Sequence, residues 1–174
     1  MSAKGSKKRF ANGVIAAVIV VFFLAHASLG SLLSLVGYTS PFMWLVWVGV
    51  AVVAVHVVAS VVTSFEQLND QEHPPSSRKK RHLALKWATG ALLAASIVAH
   101  ILSRRVPAII IAAPFLPRLS IVVLSAVLAW HICVGMKSLL DDIGLSNRLL
   151  MPLRVVVCAF AVVFCLAVFA SSAL

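Results

Sequence analysis

Five long apolar runs, at 14–36, 42–65, 83–103, 119–140 and 151–173, succeed one another along the chain with short polar breaks between them. A helix of about 20 apolar residues crosses a hydrocarbon core of about 30 Å at a rise of about 1.5 Å per residue, so each run is long enough to span. Inside lipid no water satisfies the backbone, and a run of this kind must close its own hydrogen bonds as an α-helix. With 61% of its residues hydrophobic, 11% charged and a mean hydropathy of +1.04, the chain is too apolar for a soluble globular domain. The expected fold is all-α and membrane-integral, five transmembrane helices in one domain covering residues 1–174, with any aqueous chemistry left to partner subunits.

Residues 1–12 carry Lys4, Lys7, Lys8 and Arg9 and no acid. The first run contains Ala25-His26-Ala27, which has the small-x-small form of a signal-peptidase site, but its apolar character continues through Leu29, Leu32, Leu33, Leu35 and Val36. It therefore reads as a span rather than a cleaved leader. Residues 37–41 form a turn, and Tyr38, Trp44 and Trp47 make an aromatic interface cluster. The longest polar stretch, 66–82, holds Pro74, Pro75 and Arg78-Lys-Lys-Arg81 and reads as a solvated loop; the third span starts at Leu83 or Lys86 and closes at Arg104-Arg105. Residues 106–117 are apolar but broken by Pro107, Pro114 and Pro117, which predicts an interfacial or re-entrant segment. A loop at 141–148 precedes the last span, where Pro152 suits a first helical turn.

The net charge of +10 is distributed beside the apolar runs, the pattern of topology signals and lipid headgroup contacts rather than of nucleic-acid binding. With the N-terminus in the cytoplasm of a bacterial cell, 12 of the 15 Lys and Arg residues fall on the inner side, leaving Arg104, Arg105 and Arg118 outside. All five acids, Glu66, Asp70, Glu72, Asp141 and Asp142, also fall inside. Cys133, Cys158 and Cys165 lie in apolar runs as small hydrophobes, and there is no Cys-x-x-Cys-His for thioether attachment of a haem.

An ionisable ring inside a span is costly and usually functional, and four of the five spans carry one histidine each: His26, His56, His100 and His131. His56 precedes Glu66 by ten residues and His131 precedes Asp141 by ten, which puts both about 15 Å from the inner boundary. His26 follows Arg9 by 17 residues and His100 follows His82 by 18, nearer the outer face. The intervals His26 to His56 and His100 to His131 are 30 and 31 residues, as if one helical hairpin were used twice. Two imidazoles at one depth on facing helices are what a six-coordinate haem requires, so the expected pairs are His56 with His131 and His26 with His100. The second ring nitrogen of each would donate to a carbonyl or hydroxyl. One turn after each histidine stand Gly30, Ser60, Arg104 and Gly135; small residues there leave room for a porphyrin edge, while Arg104, Arg105 and Lys137 are candidate propionate partners. The bland alternative is that each histidine is packing glue between helices. His73 and His82 lie in the polar stretch and read as solvated, and Trp87 and Trp130 as packing or anchoring residues.

The segment His131-x-x-x-Gly135-Met-x-x-Leu-Leu-x-Asp142-x-Gly resembles the haem-ligand helix of the cytochrome b membrane anchors of succinate dehydrogenase and fumarate reductase. Five spans with histidines on four helices extend the likeness to the single-polypeptide dihaem branch. The resemblance implies two haem b groups ligated by His26, His56, His100 and His131, a flavoprotein and an iron-sulfur subunit docked on the cytoplasmic face, and electron exchange with menaquinone or ubiquinone. Two features depart from the family: Ile143 follows the aspartate where some relatives have tyrosine, and the outer half carries no acid. Quinone reduction consumes protons, and carboxylates occur on the inner side alone, so the quinone site is expected near Asp142, Lys137, Lys86 and Trp87, with a site near Tyr38, Arg104 and Arg118 as the rival. Rival functions are a dihaem anchor of another quinone-linked dehydrogenase, and a haem-free transporter or assembly protein. Nitrate-reductase-type anchors double their histidines on two helices, which this chain does not do, and the lack of intramembrane carboxylates and paired broken helices weighs against proton-coupled transport.

Overall fold

The structure is a computed structural model that describes residues 3–35, 43–70 and 74–170. The described residues are almost wholly helical: α1 (Ala3–Leu35), α2 (Met43–Leu68), α3 (Ser77–Arg105), the short α4 (Pro107–Ala112), α5 (Leu116–Ile143), a 3₁₀ turn at Asn147–Leu149, and α6 (Leu150–Ala170). Five of them are long and apolar enough to cross a membrane. The turn at 37–41 with Tyr38, together with Glu72 and His73, lies outside the described residues, as do the surroundings of Gly30.

The helices begin and end where the chemistry of their termini directs. Ser76 accepts the Lys79 N–H at 3.3 Å and so caps α3. Helix therefore begins before the basic cluster, and Arg78, Lys79, Lys80, Arg81 and His82 form exposed opening turns of α3 rather than part of a solvated loop. At the other end of that stretch, Glu66 belongs to α2. The prolines of 106–117 start helices instead of merely breaking one: Pro107 opens α4 and Pro117 sits in the first turn of α5, positions whose missing N–H costs nothing. The expected interfacial stretch is thus one short helix and a tight link into α5. Asp141 and Asp142, placed in a loop by the apolar count, are still helical. α5 stops at Ile143 because Gly144 takes φ +75° and Leu145 N–H reaches back to the Leu140 carbonyl at 2.9 Å, the glycine-terminated closure of a helix.

The contacts of the chain group into two compact units, with boundaries inside α3 and α5. Unit 1 holds residues up to Leu83 and Lys137–Leu150; unit 2 holds Ala84–Met136 and Met151–Leu174. Buried apolar residues are few among the described residues: Leu83 and Leu140 in unit 1, and Val127, Ile132, Met136 and Val157 in unit 2. Large apolar side chains such as Val58, Ile111, Val123, Val155 and Leu166 face outward, as expected of helices apolar all round with lipid as their solvent. Buried among the helices are small hydroxyls instead: Thr63, Ser64, Thr89, Ser96 and Ser103. Four of these donate to carbonyls of their own helix, Thr63 to Ala59, Thr89 to Leu85, Ser96 to Leu92 and Ser103 to His100, so their burial leaves the proton satisfied.

Candidate functional site

Each intramembrane histidine lies on a different membrane-length helix: His26 on α1, His56 on α2, His100 on α3 and His131 on α5. The residue counts used to set their depths run through unbroken helix in every case, from Arg9 within α1, to Glu66 within α2, from His82 within α3 and to Asp141 within α5. The rise of about 1.5 Å per residue therefore applies along each interval. Of the expected pairs, each takes one member from unit 1 and one from unit 2.

In unit 2, α3 and α5 hold both histidines through side-chain hydroxyls. His131 Nδ1 is 3.0 Å from Thr89 Oγ1, and Thr89 is 1% exposed. His100 Nδ1 is 3.2 Å from Ser120 Oγ, which lies 3.0 Å from Ser103 Oγ and donates to the Pro117 carbonyl at 2.8 Å. A Cβ built on Gly90 would sit 3.4 Å from His131 Cε1, at ordinary van der Waals contact, so the ring lies against α3 beside Thr89. Among the described residues nothing comes within 4 Å of a Cβ built on Gly135, one turn beyond His131. Arg104 and Arg105 are exposed in the last turn of α3, Arg104 one turn after His100.

On the other side of His131, α6 is tied to α5. Arg154 donates from Nε and Nη2 to the Cys133 carbonyl at 3.2 and 2.9 Å, and Cys133 Sγ touches Cys158 Sγ at 3.7 Å with both thiols free. Guanidinium charge enters the span here by ending on a backbone dipole, whereas the residue counts took Arg154 as one of the 12 inner positive charges.

Unit 1 treats its histidines differently. His26 is exposed and stacks on Phe22, one turn before it, with ring planes 2° apart and centroids at 6.3 Å. Phe22 in turn lies on Gly49 of α2, where an added Cβ would overlap its ring. His56 has a buried Nδ1 and turns Nε2 toward Ser60 Oγ at 3.4 Å, and Ser60 donates to Asn12 of α1 at 3.4 Å. Both contacts are long for hydrogen bonds. The N-terminal part of α1 and the C-terminal ends of α2 and α5 are polar: Lys8 pairs with Glu66, Asn147 donates to Asp141 at 3.0 Å, and Asp142 packs on Gly13 of α1. Of the residues expected to bind quinone, Asp142 and Lys137 belong to unit 1, Lys86 and Trp87 to unit 2.

Sequence reasoning missed Thr89, Ser120, Asn12 and Arg154. Single hydroxyls in apolar helices carry no distinguishing mark; the usable signal was an offset, since Thr89 precedes His100 by 11 residues and Ser120 precedes His131 by 11. No three His, Cys, Asp or Glu side chains converge as a metal site among the described residues, whereas an iron porphyrin needs two axial donors. Compared with protein-family models, curated proteins and solved structures, the chain matches none.

Proposed function

We propose that this chain is the membrane anchor and electron-transfer subunit of a succinate:quinone oxidoreductase, working as a succinate dehydrogenase or a fumarate reductase. In this reading it holds two b haems through His26, His56, His100 and His131, and docks a flavoprotein and an iron-sulfur subunit on its cytoplasmic face. The observation that carries the reading is the placement of one histidine on each of four helices long enough to cross a membrane, each at a set distance along unbroken helix from a polar landmark.

The donor set fits the group. His100 and His131 have Nδ1 against a hydroxyl, the second-sphere arrangement that orients a ligating imidazole, and Gly135 keeps the face beside His131 clear. His56 departs from this pattern by turning Nε2 toward Ser60, so ligation through that atom requires the Ser60 hydroxyl to rotate away. Bound haem supplies one-electron transfer between the iron-sulfur partner and quinone. The protein's share is to fix the imidazoles, keep water from the apolar span, and deliver protons where quinone is reduced. Asp142 is assigned to that last role, Lys137, Lys86 and Trp87 to the surroundings of the quinone, and Arg104, Arg105 and Lys137 to the haem propionates. In this reading the N-terminus is cytoplasmic, and the exposed basic turns of α3 lie on the same side at the lipid headgroups.

A reduced-minus-oxidised optical spectrum and a pyridine haemochrome assay on the purified chain test the proposal. Two b haems per chain are expected, and replacing His131 by alanine should remove one. A chain isolated intact from its native membrane with no cytochrome b band overturns the reading and leaves the haem-free alternatives.

A further inference from the structure

The hydroxyl and histidine positions of unit 2 form a reciprocal pattern. α3 carries Thr89 and, 11 residues on, His100; α5 carries Ser120 and, 11 residues on, His131. Eleven residues are close to three full turns, so hydroxyl and histidine share one face of each helix, about 16 Å apart along it. Because the contacts pair Thr89 with His131 and His100 with Ser120, the two helices run antiparallel and each supplies one histidine and the group that grips the other's.

The proton count then decides the state of each ring. A hydroxyl has one proton. Thr89 Oγ1 lies 2.9 Å from the Leu85 carbonyl and 3.1 Å from that of Lys86, and Ser120 Oγ lies 2.8 Å from that of Pro117. A carbonyl accepts and never donates, so when the hydroxyl proton points there the oxygen offers its lone pair to the ring, and Nδ1 must carry the hydrogen. Between the hydroxyl, the carbonyl and Nδ1 that arrangement makes one hydrogen bond more than pointing the hydroxyl at the ring. In a medium without water the arrangement with more bonds prevails.

We propose that Thr89 and Ser120 are positioning residues that hold His131 and His100 as Nδ1–H tautomers, so that both rings present Nε2 as the electron-pair donor to a metal. The clamp is mutual: a slip of α5 along α3 breaks both grips together, which ties the orientation of one imidazole to that of the other. Its consequence for haem rests on the function proposed above; the tautomers themselves do not.

The experiment is nitrogen-15 NMR of the full chain in lipid nanodiscs, prepared without haem, labelled at histidine and held at alkaline pH so that the rings are neutral, with His131→Gln and His100→Gln variants to assign the signals. Both rings are expected to show a protonated Nδ1 and an unprotonated Nε2. Thr89→Val should release the preference at His131 and leave His100 as it was, Ser120→Ala should do the converse, and Thr89→Ser should restore His131. Wild-type rings protonated at Nε2, or a Thr89→Val variant indistinguishable from wild type at His131, overturn the clamp. Reconstitution with haem b adds a second readout: affinity falls by about 10- to 100-fold in Thr89→Val and recovers in Thr89→Ser. A chain with the expected tautomers that takes up no haem upholds the clamp and removes the haem reading instead.

Discussion

Asp142 packs against the backbone of a neighbouring helix at a glycine. A Cβ on Gly13 would stand 2.9 Å from Ile143 Cγ2 and 3.2 Å from Asp142 Cβ. The methyl of Ile143 can swing aside, but Asp142 Cβ is fixed to the α5 backbone, so even alanine at this position forces the two segments apart. Gly13→Ala should cost about 1–3 kcal/mol, in the range of overpacked cores, visible as a lowered midpoint of thermal unfolding in detergent. Quinone activity should fall with it if Asp142 serves that site. Gly49 differs because the atoms an added Cβ meets belong to the free end of Phe22. There the ring can turn, at the expense of its stack on His26, so Gly49→Ala should leave the unfolding midpoint nearly unchanged while altering the optical spectrum if His26 ligates a haem as proposed. The histidines themselves were legible in the sequence, since a rare residue type recurring once per apolar run stands out. Their partners were not, because threonine and serine are common in such helices and which of them meets a ring depends on helix rotation.

At the level of elements, short-range chemistry overrode hydropathy at most helix ends. The apolar count cut α3 at Leu83, but the Ser76 cap and four straight-chain basic residues, all good helix formers, extend the helix back to Ser77. The same count cut α5 at Leu140, and the helix runs to Ile143 because the first glycine beyond it, Gly144, takes the left-handed conformation that closes the helix. Hydropathy reports where lipid ends; hydrogen bonding reports where helix ends. The attachment of α6 to α5 was invisible at this level, since Arg154 counted as one more inner positive charge. Its two donors on the Cys133 carbonyl are charge-assisted bonds of about 1.5–3 kcal/mol when shielded, and fewer where the guanidinium is partly open. Arg154→Ala should therefore loosen α6, lower the unfolding midpoint and increase proteolysis in the 144–150 link, with Arg154→Lys restoring part of the loss. No change in either measurement would mean the contact does not hold the helix.

For the molecule as a whole, five membrane-length helices and an uneven distribution of Lys and Arg predict the orientation with the N-terminus inside. In a chain whose three cysteines are replaced by alanine, Ser76→Cys should react with a membrane-impermeant maleimide in inside-out vesicles alone, and Arg118→Cys in right-side-out cells alone. Labelling of both from one side would break the topology and, with it, the assignment of docking face and quinone side. The two units also make different use of their histidines. In unit 2 both rings are held by hydroxyls at about 3 Å, while in unit 1 one ring stacks on a phenylalanine and the other meets Ser60 at 3.4 Å. The near-equal spacing of the histidines in the two halves suggested one hairpin used twice. The spacing recurs; the hydroxyl grips do not, since the positions 11 residues before His26 and His56 are Ile15 and Leu45.

Sequence by itself determined the class of protein, the number of membrane-length helices and which of them carry a histidine, because lipid imposes its demands residue by residue: apolar length, satisfied backbone, few ionisable groups. Tertiary structure alone decided which hydroxyl grips which ring, which glycine receives Asp142 and where Arg154 ends its charge. Those depend on the rotation and register of one helix against another, and a helix that is apolar on every side leaves no stripe in the sequence from which rotation could be read.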